Sequence, residues 1–318
     1  MDFALTDEQQ TLKEEARRWL STRYPAEEWN EADWAELAEL GWLGVSTPEE
    51  SGGVGLSFLE EAVIHEELGR ALYPGPYFAT VALALPLLPA EEAEQAAAGA
   101  RRWSAQVGTL VPDLDKVDAV VTDGGLVASE GEPLDSIDST RTLARVSGSS
   151  SPDLARARAA LACEAVGIAQ RALELGIEHA STREQFGKPI GVYQAISHPL
   201  ADIFHDVELA RSIAYWAAWA VAEGDEQAAV AAAAAKAFAT EAAVAACERS
   251  IQVHGGTGFT WEHVLHRYYK LAERQPRHDD SAALRALCQD HARRRGDPVG
   301  VRGRRRGRGR DHGRAARR

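Results

Sequence analysis

Cysteine is scarce: the 318 residues hold three, at positions 163, 247 and 288, with no Cys-x-x-Cys spacing. That argues against a disulfide framework and a thiolate zinc site, and makes a reducing cytoplasm the expected compartment. Long apolar runs are missing too. The richest stretch, 228–246, is mostly Ala and is interrupted by Lys236 and Glu241, so no membrane-spanning helix and no membrane partner are expected. The first fifteen residues are acidic and lack the apolar core of a secretory leader, so none is expected. Basic residues are few once the C-terminus is set aside. Residues 291–318 carry twelve Arg against two Asp, whereas the rest of the chain carries 23 basic residues against 46 acidic ones, a net charge of −23. An acidic body of this kind repels nucleic acid and anionic lipid, so neither is expected as a partner of the main surface.

What the chain does contain is helix. At 45% hydrophobic and 26% charged it has the composition of a globular protein with a sizeable core. Thr6 followed by Gln9 is a capping-box pattern, and Leu5, Leu12, Ala16, Trp19 and Leu20 share one helical stripe. A second helix is expected over roughly 31–41, stopped by Gly41. Residues 42–55 hold four Gly and a Pro and read as an ordered loop. A third helix is expected from Ser57, with Glu60 closing its cap, to about Leu72, before Pro74 and Pro76.

Residues 101–150 differ. Val107–Val111, Ala119–Val121, Leu126–Ala128 and Leu143–Val146 are short β-prone runs separated by Asp, Gly and Pro. Fifty residues enclose too little core to stand alone, so this segment must lean on its neighbours. Beyond Ser151 the pattern is helical again, with runs at about 151–180, 191–222, 226–253, 262–274 and 280–294. Long helices with short joints describe an antiparallel four-helix bundle, and the Ala-rich face of 226–247 allows close approach. The expected organisation is a mostly α protein: an N-terminal helical domain (1–100), an abbreviated middle β segment (101–150), the bundle (151–294) and an Arg/Gly-rich tail (295–318). The tail has almost no apolar side chains and cannot fold by itself. It can bind RNA or an acidic surface, remain solvated, or fold back on the acidic body.

Three elements carry the candidate chemistry. They are Thr182-Arg183-Glu184-Gln185-Phe186-Gly187-Lys188-Pro189-Ile190, Gln194 at the head of the next helix, and Gln252-Val253-His254-Gly255-Gly256-Thr257-Gly258-Phe259. Read alone, Gly187-Lys188-Pro189 is a turn and His254-Gly255-Gly256 a helix C-cap. Read chemically, Arg183 offers a guanidinium to a phosphate, and the glycine pair lets a planar ligand reach bare backbone. His254, His263 and His266 have no metal-ligand spacing with a carboxylate.

These segments, together with the Leu40-Gly41-Trp42 to Gly55 loop, resemble the acyl-CoA dehydrogenase family of flavoproteins over about residues 1–290. The resemblance implies FAD, an acyl-CoA thioester substrate, an electron-transfer acceptor and assembly into dimers or tetramers. Carried over, Arg183 contacts the flavin pyrophosphate with Phe186 beside the adenine end; Gln194 lies near the cofactor, and Gln252, Gly255 and Gly256 line its adenosine portion. In the family these residues reach across a subunit interface.

Two departures accompany the resemblance. The Thr-Glu-Pro and Trp-Ile-Thr segments that hold the isoalloxazine ring are not found in 101–150; Gly108–Pro112 corresponds to the strand of the second. The family's catalytic Glu, in a Tyr-Glu-Gly-Thr motif, aligns with Asp279, which also suits a helix N-cap. The alternative base position on the first bundle helix is Ala157, and Glu164, two turns on, reads as a solvated or interfacial residue. This pattern resembles the accessory subunit of heteromeric (α2β2) actinobacterial members, which completes a second, dehydrogenase-like subunit's flavin site. The alternatives are a self-sufficient homomeric dehydrogenase using Asp279 or Glu164, and a flavin-free structural relative.

Overall fold

The computed structural model describes residues 5–28 and 31–274. The expected helix at 280–294, Asp279 and the basic tail lie outside the described residues. Helix α1 (Asp7–Arg23) opens with the Thr6–Gln9 capping box and buries Ala16 and Leu20. The second helix is shorter than its expected span. Helix α2 covers Trp34–Glu39, capped by the Asp33 carboxylate, and Gly41 at φ 72° turns the chain into a 3₁₀ turn at Trp42–Gly44. Helix α3 (Phe58–Ala71) starts at the expected Ser57–Glu60 box.

The chain after Pro76 holds helices that its prolines hide. Phe78–Ala84 forms a π-helix, Leu85–Leu87 a 3₁₀ turn, and α4 spans Ala90–Ala97. Pro stops a helix that precedes it but suits the start of one that follows.

The β segment forms two small sheets. Strand β1 (Trp103–Ala105) pairs in parallel with β3 (Ala119–Thr122), which pairs antiparallel with β4 (Gly125–Ala128). Strand β2 (Gly108–Pro112) and the two-residue β5 (Glu132–Pro133) flank β6 (Leu143–Ser150), both antiparallel to it. The segment leans on the helices as its size requires. Trp103 is fully buried, and its backbone exchanges hydrogen bonds with Thr80 Oγ1 at 2.8 and 3.2 Å.

The C-terminal helices are α5 (Ala155–Thr182), α6 (Gln194–Ala222), α7 (Ala228–His254) and α8 (Leu265–Arg274). Helix α5 starts at Ala155 rather than at Ser151-Pro152, because the Asp153 carboxylate accepts from the Ala155 N–H at 2.9 Å. It is the hub, packing on α3, α6 and α7, and one hydrophobic core runs from α1 to α8. Helices α3 and α5 cross backbone to backbone. A Cβ at Gly167 would lie 1.9 Å from the Glu66 carbonyl oxygen, and one at Gly69 2.2 Å from that of Glu164. Among the described residues, 228–259 is the segment long and apolar enough to cross a membrane, and most of it is buried as a core helix.

Acidic residues of α3 pin these layers together. Glu66 is buried against Lys13 of α1 at 2.8 Å, Arg211 of α6, and the Tyr215 hydroxyl at 2.8 Å. Glu67 accepts both arms of Arg17 at 2.9 and 2.8 Å. Glu61 takes Arg156 of α5 and the Ser46 hydroxyl.

Candidate functional site

The six residues expected at the cofactor converge on one end of the helical bundle. Helix α5 ends at Thr182, and the chain turns through a tight hairpin, β7 (Glu184–Gln185) to β8 (Lys188–Pro189), before α6 begins at Gln194. Phe186 and Gly187 form the hairpin tip, both at positive φ (53° and 74°). Glycine adopts that conformation freely, but a bulky Phe adopts it only under strain, and such strain concentrates at functional sites. The Phe186 ring is 92% exposed. Tyr193 stands edge-on to it at 6.4 Å.

Helix α7 ends at the same place. His254, its last residue, stacks on His179 of α5 with ring centroids 4.3 Å apart. Gly255 then turns the chain at φ 61°, ψ −134°. A Cβ added at Gly255 or Gly256 would meet nothing within 4 Å among the described residues, so neither glycine is required there by close packing against them. Arg183, Gln194, Gln252 and Gly256 are exposed, and Arg183 makes no ion pair among the described residues. Exposed guanidinium, bare glycine backbone and a free aromatic ring are the donor, the close approach and the stacking surface that an adenosine diphosphate group requires.

A second feature lies between α5 and the β segment. A small apolar cleft is lined by Phe78, Leu110, Leu154 and Ala157, with Arg158 and the fully buried Lys236 as its polar members. No carboxylate among the described residues lines it. The expected place of Glu164 is corrected here. It is neither solvated nor interfacial but 5% exposed, with both carboxylate oxygens held by Arg141 at 3.0 and 2.7 Å. Sequence reading missed Arg141, which no local pattern distinguishes. The guanidinium also lies 4.8 Å from the Phe78 ring centroid and 3.7 Å from Asp113. Burial raises the Asp113 carboxyl above its ordinary value, partly offset by Arg141 and Lys116. Asp138, paired with Arg274 at 3.3 Å, extends the network. A base must lie within reach of the substrate, and Glu164 does not line the cleft but faces Arg141.

Residues 6–98 match the sequence profile of the acyl-CoA dehydrogenase N-terminal domain, and residues 149–275 that of the acyl-CoA dehydrogenase C-terminal domain. Acyl-CoA dehydrogenase IpdE2 of Mycobacterium tuberculosis is 35% identical over 263 residues, which cover 77% of this chain and 81% of that protein. Butyryl-CoA dehydrogenase from Megasphaera elsdenii superposes with a TM-score of 0.80 at 21% identity, covering 92% of this chain and 99% of that one. The crystal structure of the ChsE4-ChsE5 complex from Mycobacterium tuberculosis superposes with a TM-score of 0.74 at 26% identity, covering 93% and 98%. The chain belongs to the acyl-CoA dehydrogenase family. Membership implies FAD as the cofactor, and the open glycines and exposed Arg183 fit a flavin's phosphate and adenosine portions.

Proposed function

We propose that the chain is one subunit of an FAD-dependent acyl-CoA dehydrogenase complex and completes a flavin site whose larger part belongs to a second dehydrogenase-like subunit. The reaction is α,β-dehydrogenation of an acyl-CoA thioester in the cytoplasm, with the electrons passed on to an electron-transfer acceptor. The observation that carries this reading is that Arg183, Phe186, Gln194, Gln252, Gly255 and Gly256 meet at one end of the bundle, turned outward or half-buried rather than into their own chain. Residues that serve a cofactor within their own subunit would line a cleft of that subunit. The cleft beside Ala157 has no carboxylate, and Glu164 is committed to Arg141, which supports a role without proton abstraction by these groups. The ChsE4-ChsE5 complex among the structural relatives supports a heteromeric arrangement.

In this arrangement bound FAD supplies the hydride acceptor. This chain contributes binding and order: Arg183 neutralises phosphate charge, Phe186 covers an adenine face, and the glycine pair admits close approach. The test is co-expression with a neighbouring dehydrogenase-like chain, followed by flavin quantitation in each purified species. Flavin that appears only in the co-purified complex is the expected result. A yellow, active protein purified alone would overturn the proposal in favour of a self-sufficient enzyme with Asp279 as its candidate base. A colourless chain that pairs with no such candidate would leave the flavin-free alternative.

A further inference from the structure

His179, the first of three adjoining imidazoles, lies one helical turn before Arg183. His179 and His254 lie 4.3 Å apart at 27°, and His254 and His263 lie 4.4 Å apart at 58°. The stack sits where the ends of α5 and α7 meet the segment leading into α8. His254 is 8% exposed, and its Nδ1 donates to the Ser250 carbonyl at 2.8 Å. The His263 Nδ1 accepts from the Leu265 N–H at 3.3 Å. The tautomers of His254 and His263 are therefore set by backbone groups, and the outer rings, His179 and His263, remain half-buried. No group of three or more ligating residues among the described residues could hold a metal.

The surroundings disfavour a proton on the two outer rings, His179 and His263. Burial, then His254 and Arg183, hold the His179 imidazole below its ordinary value. Burial, then His254, His179 and His266, do the same to His263, and Glu27, on the segment after α1, opposes them weakly. Arg183 is one helical turn from His179, its N–H donating to the His179 carbonyl at 2.9 Å. An anion seated on Arg183 reverses this balance, because it cancels the guanidinium field and offers oxygens to a charged imidazole.

We propose that the His179–His254–His263 stack and Arg183 together form a proton-coupled site for an adenosine pyrophosphate, the group common to FAD and CoA, and that binding there takes up a proton. This rests on the phosphate being placed at Arg183 in the proposed function. Imidazole suits the task because its unperturbed pKa of about 6.5 lies close to physiological pH.

The experiment is calorimetric titration of the flavin-depleted complex with FAD, whose pyrophosphate diester does not itself titrate near neutrality, in two buffers of unlike ionisation enthalpy, so that the difference reports protons taken up by the protein. Near-neutral titration should show net uptake, and affinity should fall by about tenfold in all between pH 6 and pH 8, within the limit for one linked proton. Adenosine, which lacks the pyrophosphate, should not reproduce the uptake. His179→Gln, and independently His263→Gln, should abolish the uptake and flatten the pH dependence of FAD affinity. Repeating the titration with CoA assigns the natural source to whichever ligand shows the uptake. FAD binding without proton exchange, or undiminished uptake in both variants, would overturn the inference. Proton-silent binding together with flavin loss in Arg183→Ala removes only the role of the stack. Full flavin occupancy in Arg183→Ala removes the placement on which it rests.

Discussion

Arg141 and Glu164 close a buried, two-pronged ion pair, with Nη1 donating to Oε2 at 3.0 Å and Nη2 to Oε1 at 2.7 Å. Each of Arg141→Met and Glu164→Gln takes the two-pronged partner from a buried charge, so the first should lower stability by about 3–5 kcal/mol and the second by less, because Asp113 at 3.7 Å still faces the guanidinium. Urea unfolding measures this. Turnover per bound flavin in the complex should be retained by whatever fraction of Glu164→Gln folds. Loss of turnover at unchanged stability would make Glu164 the base after all.

Arg183→Ala should behave in the opposite way. The side chain is exposed and unpaired within the described residues, so stability should change by less than about 0.5 kcal/mol. A charge-assisted hydrogen bond is worth roughly 1.5–3 kcal/mol, so flavin affinity in the complex should fall by about 10- to 100-fold. Flavin release on dilution or gel filtration reads this directly.

Two glycines make a matched control. Gly167→Ala places a Cβ 1.9 Å from the Glu66 carbonyl oxygen, where backbone must move, and should destabilise by about 1–3 kcal/mol or more. Gly256→Ala meets nothing within 4 Å, so thermal unfolding of the chain should be nearly unchanged while flavin occupancy of the complex falls. Equal melting losses in the two variants would contradict this assignment.

Acid should release the α3 glutamates. Burial pushes Glu61 and Glu66 up, but Arg156 and His65 at Glu61, and Lys13 and Arg211 at Glu66, outweigh it and hold both below 4.5. A depressed folded value means stability that is present above the unfolded value and lost as pH falls through the folded one. Asp113, raised by burial, acts in the opposite sense: it is destabilising at neutral pH and relieved on acidification. The urea midpoint should hold between about pH 7 and 5 and then fall below about pH 4.5, less steeply in Glu66→Gln. A flat midpoint through that range would show that these pairs contribute little.

Much of the helical framework is legible in the sequence because its signals are local. The Thr6–Gln9 and Ser57–Glu60 boxes start their helices as written, and Gly41 ends α2 in the left-handed conformation. The motifs around Arg183 and Gly255 point to the family because they combine residue types that packing alone does not need. The helices from Phe78 to Ala97 were hidden by Pro74 and Pro76, and β1 by its length of three residues. Arg141 was not legible at all, since its partner lies 23 positions away on another element.

The sequence by itself determined the helical class, the caps, the acidic body with its basic C-terminus, and which short motifs carry chemistry, since each depends on residues within a few positions of one another. Tertiary structure alone decided that Glu164 faces Arg141, that Gly69 and Gly167 let α3 and α5 cross in backbone contact, and that the rings of His179, His254 and His263 adjoin one another. These relations join residues far apart in the chain, and their energies come from burial and desolvation, which do not exist until the elements have packed.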